Sequence, residues 1–175
     1  QHGQGLIALT ACLAGEIPRL IIADKLDKAK KRILEYNELF GQGNFYLELQ
    51  SHPNLENQGK VNQALITLSR ELNIPLAATN DIHYLNQDDD EPQDVLLCLQ
   101  TKKKKEDRDR MMMLGGDYSF RPVKKMIEAF KETPEAIANT EQIAQACNLE
   151  IELGQIQLPF FPVPDGQDID GYLDN

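Results

Sequence analysis

The strongest constraint on this chain is a hydrophobic period that switches back and forth along residues 5–80. Residues 5–10 (Gly-Leu-Ile-Ala-Leu-Thr) form a short apolar run bounded by glycine, the pattern of a buried strand. Pro18 then suits the first turn of a short helix. Over 27–40 the period becomes helical: Ala29, Ile33, Tyr36 or Asn37, and Phe40 recur at three- and four-residue spacings, with Gly41 and Gly43 as the stop. Residues 44–50 alternate and are rich in strand formers. Residues 56–72 return to helix with Val61, Leu65, Leu68 and Leu72, and 76–80 read as a third strand. Strand, helix, strand, helix, strand predicts an α/β fold with a parallel sheet and helices packed outside it. In the barrel form of that architecture, chemistry sits where the strands end.

The remainder reads as more helical. Residues 92–100 form a short helix, preceded by the acidic run Asp88-Asp89-Asp90-Glu91 that a helix N-terminus favours. Residues 102–113 read as a charged, exposed stretch, and 122–130 as a helix. A further helix spans 134–147, with Thr133 as cap and Pro134 at its first position. Residues 149–153 read as a strand. The three prolines in 158–164 exclude regular structure there.

The chain has 175 residues and a net charge of −10, which argues against its being the main DNA-gripping surface, since phosphate binding calls for a basic face. No run approaches the length of a membrane span, and no secretory leader is visible, so no membrane partner is expected. Cys12, Cys98 and Cys147 are odd in number and far apart, which excludes a zinc ribbon or a disulfide framework and fits a reducing, cytoplasmic setting. Cys98 and Cys147 have apolar neighbours and read as small core residues. The chain starts without Met and reads as an excerpt of a longer protein.

The chemistry-bearing residues gather after the expected strands. In Asp81-Ile82-His83 the first and third side chains share a face of an extended segment, and carboxylate with imidazole suits zinc, manganese or iron. Cys12 follows the first strand and is either a further ligand or a small buried side chain. His52 follows the second strand and either lines the same face or is a turn histidine. The run Lys102-Lys103-Lys104-Lys105 is followed at once by Glu106 and Asp107, which favours a solvated loop over a phosphate grip. No phosphate-binding glycine loop, nucleophile elbow or HExxH motif is present.

Several stretches, in one order, resemble a known family: 5–18 around Cys12, Phe45-Tyr-Leu-Glu-Leu-Gln-Ser-His52, and Thr79-Asn80-Asp81-Ile-His83-Tyr84. Further on come Gly116-Asp117-Tyr118-Ser119-Phe120, Glu135-Ala-Ile-Ala-Asn139-Thr140 and Leu158-Pro-Phe-Phe-Pro162. Together they resemble the bacterial DNA polymerase III alpha subunits, in the later part of the PHP domain and its connection onward. The resemblance implies a partial distorted β/α barrel followed by a mainly helical extension. It divides the chain into 1–115 (PHP domain), 116–164 (helical end and connection) and 165–175 (start of a linker to the polymerase core). It implies Cys12, Asp81 and His83 as ligands for zinc, manganese or iron, in part of a 3′–5′ proofreading phosphoesterase. The other ligands, an early His-X-His pair among them, are expected upstream. The polymerase carboxylates, with their magnesium, are expected downstream, so the segment alone is expected to be inactive. Implied partners, through the parent protein, are DNA, deoxynucleotides, a sliding clamp and a proofreading subunit. Two alternatives remain: a non-catalytic PHP module that docks that subunit, and a stand-alone PHP-type phosphoesterase.

Overall fold

The computed structural model describes residues 3–156, 158–164, 166 and 168–173. The elements are β1 (Ala8–Leu9), α1 (Glu16–Ile22), α2 (Leu26–Phe40), β2 (Phe45–Gln50), α3 (Gln58–Leu72), β3 (Leu76–Thr79), a 3₁₀ turn (Gln87–Asp89), α4 (Asp90–Thr101), α5 (Val123–Ala129), α6 (Pro134–Ala146) and α7 (Ile169–Leu173). The strands are parallel in the order β1-β2-β3, with Ala8 opposite Phe45, Leu47 opposite Leu76 and Gln50 opposite Thr79. The alternating strands and helices expected over 5–80 are therefore present, as a small parallel sheet within a mixed α/β structure.

Alternation in β2 separates two chemistries and not inside from outside. Phe45, Leu47 and Leu49 enter the main core with Ile17, Ile33 and Leu65. On the opposite face, Tyr46 and Gln50 are also buried and Glu48 is half-buried. There Glu48 accepts hydrogen bonds from Thr79 Oγ1 (2.6 Å) and Gln50 Nε2 (3.0 Å), so the half-buried carboxylate is satisfied. A central strand of a parallel sheet is covered on both sides, which is why five of its six residues are buried.

Several expectations are corrected. The first strand is two residues long, because Thr10 Oγ1 accepts the Glu48 N–H (2.8 Å) in place of a further β1 carbonyl, and Ala11 then turns with φ +63°. Thr133 starts α6 without a side-chain capping bond and is itself buried. Cys147 is exposed, since α6 ends beside it and buries only Ala136. Residues 149–153 form no strand: Leu149, Ile151 and Leu153 alternate correctly but lie in solvent beside no strand edge. Arg110, inside the stretch expected to be exposed, is buried against Asp94 with side-chain exposures of 4% and 1%. Cys98 is buried, as expected. Residues 158–164 carry no regular structure, and the 165–175 segment lies partly outside the described residues.

Candidate functional site

All four candidate residues lie beyond the C-terminal ends of the three strands. Cys12 follows β1, His52 follows β2, and Asp81 and His83 follow β3. Because the strands are parallel, these ends share one edge of the sheet. Two tight backbone features aim the loops. A Cβ on Gly15 would stand 2.5 Å from the Thr10 carbonyl oxygen, so only glycine allows the turn around Cys12 to close. Asp81 takes φ +54°, a left-handed conformation that Asp tolerates better than most residues.

That turn points the Asp81 carboxylate between two imidazoles. His52 Nε2 lies 3.2 Å from Oδ2, and His83 Nε2 lies 3.3 Å from Oδ1. His52 is buried and His83 is about one-third exposed. The hydrogen bond from His52 is the main reason the Asp81 carboxyl sits below its ordinary pKa. Burial opposes the shift and the neighbouring His83 assists it. With Nε2 donating to Asp81, His52 keeps Nδ1 as its other ring nitrogen, and that atom is buried with no hydrogen-bond partner among the described residues. His52 thus backs Asp81 from inside, while His83 and Asp81 face a cleft of about 600 Å³ that Cys12 also lines. Cys12 is exposed there, so of its two readings the buried small side chain does not apply. Among the described residues, no group of three or more His, Cys, Asp or Glu side chains is drawn together as a metal cage.

Two residues of the site were not expected from the sequence. Tyr118 packs on both histidines, with ring centroids 4.5 Å from His52 and 5.5 Å from His83. Its phenol pKa is pushed up, first by burial and then by the charge of Asp81. Its backbone is tied in as well: the His83 N–H donates to the Tyr118 carbonyl (2.8 Å), and the Tyr118 N–H donates to Tyr84 Oη (3.1 Å). Arg121 is 8% exposed and braces two of the strand-end loops. Its Nε donates to Asn80 Oδ1 (2.6 Å), Nη2 to the Asn80 carbonyl (3.0 Å) and Nη1 to the Ser51 carbonyl (2.8 Å). Each neighbours a candidate residue, Asn80 beside Asp81 and Ser51 beside His52. The Gly116–Phe120 motif had marked the segment, but nothing local signals that Arg121 reaches back to Asn80 and Ser51, forty-one and seventy residues earlier.

Comparison with known proteins shows what the chain resembles. The PHP domain family matches residues 1–52. A DNA polymerase III subunit alpha from Borreliella burgdorferi is 40% identical over 165 residues, 94% of this chain, and one from Treponema pallidum is 39% identical over 164 residues, also 94% of it. The subunit alpha of Thermus aquaticus is 35% identical over 99% of the chain. Over this stretch the chain is similar to DNA polymerase III alpha subunits almost from end to end. It spans only 14% of the length of each of these three relatives. Cys12 and His52 fall inside the PHP match, while Asp81, His83, Tyr118 and Arg121 fall beyond it. Among the described residues, no helix is long and apolar enough to cross a membrane.

Proposed function

We propose that this chain is part of a bacterial replicative DNA polymerase and contributes part of a divalent-metal phosphoesterase site for 3′–5′ proofreading. The observation that carries the reading is the Asp81 carboxylate, held by buried His52 and set beside His83 at the mouth of a cleft shared with Cys12. The donor set fits a cation in kind. Carboxylate, imidazole and thiolate suit zinc, manganese or iron, and ligating carboxylates are themselves held by hydrogen bonds, as Asp81 is by His52. Cys12, Asp81 and His83 would hold the ion, and His52 would line the site as the support of Asp81. Such an ion would supply activated water and a counter-charge for a phosphodiester. The fold is read as part of a distorted β/α barrel, with 1–115 in the PHP domain, 116–164 as its helical end and connection, and 165–175 as the start of a linker. Nucleotide addition, with magnesium, would belong to the rest of the parent protein in the cytoplasm, along with contacts to DNA, deoxynucleotides, a sliding clamp and a proofreading subunit.

The test is an exonuclease assay on the full polypeptide that carries this stretch, using a primer with a mismatched 3′ end. Asp81→Asn and His83→Ala should abolish mismatch removal while leaving nucleotide addition intact. A second reading, a non-catalytic PHP module that docks a separate proofreading subunit, draws on the lack of a preformed cage among the described residues. Unchanged mismatch removal in both variants would select it.

A further inference from the structure

The cleft beside Asp81 has a second wall that metal chemistry does not use. Helix α4 turns Gln93, Leu97 and Gln100 toward it, at i, i+4 and i+7 on one helix face. Three consecutive methionines, Met111, Met112 and Met113, line it as well. Met111 and Met112 are more than half exposed and so are open to a ligand from solvent. The residue before them is fixed in place. Arg110 donates through both terminal nitrogens to the buried Asp94 of α4, with Nη2 to Oδ2 at 2.9 Å. The start of the methionine run is thereby anchored to α4. Gln58 also lines the cleft, is 6% exposed, and has an amide oxygen with no hydrogen-bond partner among the described residues.

We infer that this wall is a nucleobase subsite, receiving the unstacked terminal base of a nucleic-acid strand whose phosphodiester faces Asp81 and His83. The orientation toward Asp81 rests on the phosphoesterase reading, whereas binding of the base does not. Polarizable thioethers and a leucine suit the flat face of a heterocycle. Amide groups suit its hydrogen-bonding edge, as in enzymes that read an extruded base. A volume of about 600 Å³ falls within the usual range for small-ligand sites. Among the described residues no Lys or Arg lines the cleft, and Asp81 brings a negative charge, so this wall offers a phosphate no lysine or arginine. The base end of a nucleotide is therefore the part this wall suits.

The chain has four methionines, the three of the wall and Met126, which packs at the edge of the main core. Methyl-labelled methionine NMR of the full chain therefore carries its own control. Titration with thymidine, in EDTA, should move the Met111, Met112 and Met113 signals and leave Met126 in place. Ribose 5-phosphate should move none of them. Met111→Lys, at an exposed position, should weaken thymidine binding by about tenfold, the scale of losing one base contact. Shifts absent with thymidine, or equal with ribose 5-phosphate, overturn the inference. A separate titration of Asp81→Asn separates the two readings. Retained thymidine shifts in a protein whose metal binding has failed would leave the base subsite standing alone.

Discussion

Replacing Arg121 by Met tests how the site is held together. Methionine keeps most of the buried stem and removes three hydrogen bonds, to Asn80 Oδ1, the Asn80 carbonyl and the Ser51 carbonyl. Hydrogen bonds from a charged donor contribute about 1.5–3 kcal/mol each, so the gross loss is about 4.5–9 kcal/mol. Much of that is recovered, because the freed oxygens sit on half-buried loop residues that water can reach, and because a buried guanidinium no longer has to be desolvated. A net loss of about 3 kcal/mol is expected, or a fall in Tm of about 6–12 °C for a chain of this size. Urea unfolding followed by circular dichroism measures it, with the midpoint lowered and the slope unchanged. Arg108→Met, at an exposed position, is the control and should change stability by less than about 0.5 kcal/mol. The variant should also bind a divalent cation about 10–100-fold more weakly, since the loops carrying His52 and Asp81 lose their brace. An Arg121→Met protein as stable as the control variant would refute the bracing argument.

Other outcomes follow from the same structure. Leu47→Ala, fully buried in the central strand, should cost about 2–5 kcal/mol in urea unfolding. Gly15→Ala should destabilise the chain by about 1–3 kcal/mol, because the new methyl meets the Thr10 carbonyl. The Asp94 carboxyl is held below its ordinary pKa of 3.8, chiefly by the hydrogen bond from Arg110. Its contribution to stability is therefore complete above that value and is lost only as pH falls through the lower folded value. The stability difference between the wild type and Asp94→Asn, measured by urea midpoints, should be full at pH 7 and shrink under acid below about pH 3.8.

Much of the fold was legible because it depends on local period. Ala29 and Ile33 on α2, and Val61 and Leu65 on α3, are the buried stripes their spacing predicts. Asp81 and His83 do meet, but through the left-handed turn at Asp81 and not through the extended segment their spacing suggested. Non-local pairing was not legible. The sequence leaves His52 open between a turn residue and the lining of the site, and only Asp81, twenty-nine positions later, gives it a partner. Arg110 reads as one more charge in a charged stretch until Asp94 is found beneath it. The errors at Cys147 and at 149–153 run the other way. Local pattern was right in kind, but no neighbouring surface meets it, and burial requires a partner.

The central claim is that Cys12, Asp81 and His83 face one cleft in order to hold a divalent cation. Cobalt(II) titration of the full chain tests it most directly, because thiolate ligation produces a charge-transfer band that imidazole and carboxylate do not. The account predicts that the band appears at one equivalent, is lost in Cys12→Ser while weaker cobalt binding persists, and is lost together with binding in Asp81→Asn and His83→Ala. A titration without the band, or one unchanged by the Asp81 and His83 substitutions, would contradict it.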